Sequence, residues 1–138
     1  MKEEITIETT VHAPIEKIWK YWNEPEHITK WSSGSDDWHT TASTNDLRVD
    51  GAFTVRMESK DGTQGFDFGG IYTEVTEPSL IAYTIGDGRK VRITFTVQED
   101  GSCHIVQTFE TENENPVEMQ RTGWQNILDN FKKYAESN

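Results

Sequence analysis

The spacing of apolar side chains along this chain switches between about two residues and about 3.6, and each switch marks an element. From Glu4 to Val11 the residues alternate, with Ile5, Ile7, Thr9 and Val11 on one face, which predicts a half-buried strand. Helix follows at Pro14, where Ile15, Ile18, Trp19 and Trp22 adopt the helical period; Ala13 is a poor cap, so Pro14 carries the start signal. A second short helix is expected from Pro25 past Ile28 towards Trp31, and Ser32 to Asp37, small and polar, predicts a loop. A short strand over Trp38 to Ala42 then opens a meander. Its further strands are expected at Leu47–Val49, Phe53–Ser59, Gln64–Val75, Leu80–Ile85, Val91–Glu99 and Cys103–Thr111. Asp61-Gly62, Asp87-Gly88 and Asp100-Gly101 punctuate the runs; Asp and Gly both tolerate positive φ, so hairpins and antiparallel neighbours are predicted.

The last stretch, Asn115 to Asn138, reads as one long amphipathic helix, with Trp124, Ile127, Leu128, Phe131, Tyr134 and Ala135 on a single face. Asn115 as cap, Pro116 at the first helical position and Glu118 as capping-box carboxylate mark its start, while Lys132 and Lys133 suit its negative end. Gly123 breaks the pattern, at a cost of about 1 kcal/mol relative to Ala. Its missing side chain predicts either close approach of a strand backbone or room for a bound ligand.

Alternation assigns inward rows to Phe53, Val55 and Met57; to Ile81, Tyr83 and Ile85; to Val91, Ile93, Phe95 and Val97; and to Ile105, Gln107 and Phe109. Thr54, Arg56, Arg92, Thr94 and Thr96 face outward. Phe66 and Phe68 conflict in parity with Ile71 and Val75, and Gly69-Gly70 lies between them, so a β-bulge or sharp bend is expected there. A sheet with one apolar face needs a cover, and only the C-terminal helix is long enough to supply it. The predicted class is therefore α+β: a curved antiparallel sheet around a long C-terminal helix, with two short helices after the first strand, in one domain spanning 1–138.

With 138 residues the chain has room for a core with a pocket in it, and its five Trp, six Phe and four Tyr supply much of the apolar volume. A formal charge of −11 and the lack of a Lys/Arg cluster argue against nucleic acid, and equally against anionic membrane surfaces. The single Cys103 rules out an internal disulfide, the charged start at Lys2, Glu3 and Glu4 is unlike a signal peptide, and no segment is long enough for a membrane span. A cytoplasmic protein is expected.

Ala13-Pro14-Ile15-Glu16-Lys17-Ile18-Trp19, then Pro25-Glu26-His27-Ile28, Asp46-Leu47-Arg48 before Gly51, Gly70 through Glu74, Val75 to Pro78, and Gly123-Trp124 together form an ordered set. In that order and spacing the chain resembles the START-related, birch-pollen-allergen-like helix-grip superfamily, SRPBCC, and within it the branch of the activator of heat-shock-protein-90 ATPase. Trp31-Ser32 stands where relatives often carry a tryptophan pair, and Glu77-Pro78 where they carry a double proline. The separate N-terminal domain of the eukaryotic co-chaperones has no counterpart in this sequence. The resemblance implies a sheet gripping the final helix, often with an apolar cavity for a lipid, polyketide or similar molecule.

No catalytic set assembles from the sequence. Gly86-Asp87-Gly88 lacks a third glycine and precedes a strand, so it reads as a hairpin and not as a dinucleotide fingerprint. His12, His27, His39 and His104 lie on separate elements without ligand spacing, and adjacent Cys103 and His104 point to opposite faces of a strand. Cys103 reads as a small core residue, and the acidic run Glu110 to Glu114 as a solvated loop. No metal and no cofactor are expected. The expected ligand-binding residues are Phe53, Val55, Phe66, Phe68, Tyr83, Phe95, Gln107, Gly123 and Trp124, lining a cavity between sheet and helix. Gln107 is its lone polar point. Binding of a small hydrophobic molecule leads; the alternatives are a cyclase or hydrolase using Gln107 with Tyr83 or Arg56, and a co-chaperone with a heat-shock-protein-90 partner.

Overall fold

A computed structural model describes residues 3–32 and 37–138. The order is β1 (Glu4–Val11), α1 (Ile15–Asn23), α2 (Pro25–Trp31), β2 (Trp38–Asn45), β3 (Ala52–Ser59), β4 (Gly65–Thr76), β5 (Leu80–Ile85), β6 (Lys90–Val97), β7 (Cys103–Glu110) and α3 (Val117–Ser137). The loop expected over Ser32 to Asp37 lies for the most part outside the described residues.

All seven strands form one antiparallel sheet in the order β1-β7-β6-β5-β4-β3-β2. The three Asp-Gly turns fold as expected, with φ of 77° at Gly62, 95° at Gly88 and 86° at Gly101, backbone that side chains rarely adopt. Leu47–Val49 is not a strand. Arg48 N–H donates to the Asp46 carbonyl and Gly51 N–H to the Arg48 carbonyl, so this stretch is a tight turn delivering the chain into β3.

The expected irregularity at Gly69-Gly70 is also corrected. Pairing of β3 with β4 runs unbroken from Ala52↔Ile71 to Glu58↔Gly65, and the register shift falls between Tyr72 and Glu74, against β5. One residue inserted at Thr73 lets Phe66, Phe68, Tyr72 and Val75 share a face while Ile71 stays exposed. The glycines serve another purpose: a Cβ on Gly69 would lie 2.4 Å from the Phe53 carbonyl oxygen, and one on Gly70 2.5 Å from that of Thr84.

Helices cover both sheet edges. Along β1, alternate carbonyls that would otherwise be open to another strand accept bonds from one face of α3: Arg121 to Thr6, Gln125 to Glu8 and Lys132 to Thr10. At the far edge Ser32 and Thr40 share a 2.7 Å hydroxyl bond, and Asn45 Nδ2 donates to the Asn23 carbonyl at 2.7 Å. The core between sheet and helices contains Ile5, Val11, Ile18, Ile81, Ile93, Cys103, Ile105, Phe109, Leu128 and Phe131, each fully buried. Val97, assigned to an inward row, keeps that parity at the end of β6, where nothing covers it, and is 54% exposed.

The start of α3 differs from the capping box expected. Pro116 is the cap, no side chain bonds the first turn, and Glu118 pairs with Arg121 at 3.6 Å. Buried Gln120 holds the approach: its amide accepts from Glu112 N–H at 2.9 Å and donates to the carbonyls of Glu112 and Asn115. Lys132 does not serve the helix end; it bridges the Thr10 carbonyl and Glu136.

Candidate functional site

Because α3 lies along the β1 side of the sheet, its first half leaves part of the concave face uncovered. A cleft of about 930 Å³ lies between the two. Eight of the nine residues singled out in the sequence border it: Phe53, Val55, Phe66, Phe68, Tyr83, Gln107, Gly123 and Trp124. Nine aromatic side chains are among its described lining residues. Phe53 meets Tyr83 edge-on at 4.7 Å and Tyr72 at 5.4 Å, and Trp124 stacks on Phe109 at 4.2 Å and 10°. Trp124 is therefore half-buried, not enclosed, while Leu128 one turn later is 1% exposed.

Phe95 is the correction. It shares the concave face, but its ring packs edge-on to Trp19 and Trp22, both at 5.5 Å, so α1 covers it and it takes no part in the lining. Phe66 stands at the mouth, 46% exposed, against Trp38. Gly123 does not receive a strand backbone. A Cβ there would meet nothing within 4 Å, so the close-approach reading falls and open space at the cleft remains.

Two polar groups stand among these rings. Gln107 is 6% exposed, borders the cleft, and its amide has no hydrogen-bond partner among the described residues. The Tyr83 hydroxyl is likewise without a described partner, and burial pushes its pKa well above the ordinary phenol, with Tyr72 adding to the rise and Arg89 opposing it. Burial also raises Tyr72, although its hydroxyl donates to Asn45 Oδ1 at 2.5 Å. Gln107 and Tyr83 do not bond each other. Arg56, outside the cleft lining, pairs with Glu58 at 3.1 Å and Asp67 at 3.6 Å. The converging polar pair that acid–base chemistry needs is not assembled from these groups.

Sequence reasoning missed Tyr72, Met57, Arg89 and Met119 as lining residues. Tyr72 has the parity of Phe66 and Phe68, and placing the bulge at Thr73 would have revealed it. Arg89 extends the Val91, Ile93 row by one step beyond the hairpin. Glu24, Glu26 and His27 also come together at the start of α2, with ligating atoms within 4.8 Å of one another. His27 is already engaged there, bonded to the Tyr134 hydroxyl at 2.6 Å and stacked on Tyr21 at 4.1 Å. Cys103 is buried, which raises its thiol pKa, and His104 on the opposite face bonds Thr10. No described helix is long and apolar enough to cross a membrane.

A curled antiparallel sheet gripping a long C-terminal helix, with two short helices early in the chain, is the helix-grip architecture of the SRPBCC superfamily. Residues 12–136 match the family described as activator of Hsp90 ATPase homolog 1-like protein, and the chain belongs to that family. An AHSA1-like protein from Aeromonas hydrophila, solved by NMR, is 41% identical with a TM-score of 0.91, over 98% of this chain and 93% of that one. A protein from Cytophaga hutchinsonii is 55% identical with a TM-score of 0.83, over the same shares. A Chromobacterium violaceum protein at 23% identity and TM-score 0.86, covering 99% of both chains, shares the fold. No curated protein matches the chain.

Proposed function

We propose that this protein binds a small, mainly apolar organic molecule between α3 and the concave face of the sheet. The observation that carries the reading is Gln107: the residue is 6% exposed, borders a cleft rich in aromatic side chains, and its amide has no described protein partner. Its amide opens onto the cleft, where it is available to a ligand polar group or an ordered water. The cleft's volume of about 930 Å³ falls within the roughly 300–1,000 Å³ of small-molecule sites. Gly123 fits the same reading, since it accepts a helix-propensity cost without any packing return.

Titration with N-phenyl-1-naphthylamine, a neutral dye that fluoresces in apolar surroundings, tests this. The wild-type protein should bind it saturably, and Gly123→Trp should weaken binding roughly tenfold or more while leaving the circular dichroism spectrum unchanged. Absence of saturable binding to the wild type, or full binding by a folded Gly123→Trp variant, overturns the proposal.

A further inference from the structure

Resting on the reading just given, we propose that the ligand is an amphipathic organic acid, its anionic head held by Arg89 at the rim and its apolar body extending towards Gln107. The argument starts from register. Ile85 N–H donates to the Arg89 carbonyl at 2.8 Å, which places Arg89 opposite Ile85 at the base of the β5–β6 hairpin. Two residues on, Val91 pairs with Tyr83 and Phe109; two further, Ile93 pairs with Gln107. Alternation puts Arg89, Val91 and Ile93 on one face, so the cation and the amide lie about four strand residues apart, roughly 13 Å along the sheet.

Arg89 is the one basic side chain among the described lining residues. Its Nε donates to Asp87 Oδ2 at 2.8 Å, yet the Arg89 side chain is 15% exposed and that of Asp87 53%. An ion pair at a hairpin tip stabilises little when both charges stay in water. Here the cation is drawn inward, and the fork of its terminal amino groups takes no described acceptor. A planar guanidinium presenting such a fork is suited to a carboxylate or sulfonate. Arg89 also lies close enough to Tyr83 to oppose the rise in its pKa, which places the charge beside a second uncommitted donor.

Two carboxylates share the lining, and neither is directed at this position. Glu112 accepts from Asn115, through both its backbone and its side-chain amide; Glu118 is 83% exposed and pairs with Arg121. A cation at the mouth, a neutral amide within, and rings between them describe an elongated acid better than a neutral hydrocarbon.

The test compares N-phenyl-1-naphthylamine with its 8-sulfonate, 8-anilinonaphthalene-1-sulfonate, which differs by the anionic group alone. Wild-type protein should bind the sulfonate roughly tenfold tighter or more, as a charge-assisted bond in a sheltered site predicts. Arg89→Gln should abolish that preference and leave the neutral dye's affinity within about twofold. Asp87→Asn, which loosens the hairpin pair but retains the cation, should keep the preference. Equal affinities in the wild type, or a preference surviving Arg89→Gln, overturns the head-group assignment while saturable binding of the neutral dye leaves the cleft reading standing. Failure of both dyes to bind the wild type removes the cleft reading and this inference with it.

Discussion

Two groups of aromatic rings meet over the concave face, and they differ in how much of each borders the cleft. Trp19 and Trp22 of α1, Trp31 of α2, Phe131 of α3 and Phe95 of β6 interlock at centroid distances of 4.8 to 5.5 Å, and only Trp22 and Trp31 among them reach the cleft. Phe53, Phe68, Tyr72, Tyr83 and Phe109 stand on the sheet with Trp124 of α3 against them, meeting at 4.2 to 6.2 Å, and all but the buried Phe109 border the cleft. A ring's place on a strand decides which face it joins. Whether it becomes packing or wall depends on what the rest of the chain lays across it.

That contrast is sharpest along α3, and denaturation of truncated variants measures it. Phe131→Ala should cost about 3–5 kcal/mol and Leu128→Ala about 2–5, because both side chains are fully buried. Trp124→Ala, although it removes the largest side chain of the three, should cost only about 1–2 kcal/mol, since one side of the ring faces the cleft. A cost for Trp124 equal to that for Phe131 would mean that the two regions are packed alike in solution.

Gly123→Ala should raise stability by about 1 kcal/mol, since a methyl there meets nothing and the helix gains propensity. A loss instead would show the helix closing down on the sheet at this point. Smaller still, Tyr83→Phe should leave stability at neutral pH within about 0.5 kcal/mol, because the hydroxyl has no described protein partner to lose. The variant should matter in alkali. The folded-state pKa of Tyr83 is raised, so its neutral form contributes stability that is fully present below about pH 10 and lost as pH rises from there towards the folded value. Tyr83→Phe should flatten that alkaline decline, and an unchanged slope in pH-dependent urea melts would remove the burial argument.

The element order and the apolar stripe of α3 were legible in the sequence because each rests on local rules. Pro14 and Pro25 mark helix starts, the three Asp-Gly pairs mark hairpins, and the stripe from Leu128 to Ala135 has one unambiguous period. Misreadings arose where a tertiary contact decides. Leu47–Val49 looks like strand by composition but is bent by hydrogen bonds to Asp46 and Arg48. Gly69-Gly70 suggests the wrong site for the bulge because it lies between the two parity sets; the glycines serve close strand approach, and the inserted residue that switches parity is Thr73. Alternation places Phe95 on the concave face, but the position of α1, which no local pattern encodes, decides that it is packing and not wall. Arg89 was hidden in a turn, where charge reads as solvation.

The sheet order carries a consequence in time. Glu4 pairs with Glu110 and Val11 with Cys103, so β1 finds its place only when the last strand, β7, has been made. Loop closure over so long a span is slow, and until it happens β7, though paired to β6 through its own short hairpin, has an open edge. Because α3 follows every strand in the chain, the aromatic concave face is made before the long helix that packs across it.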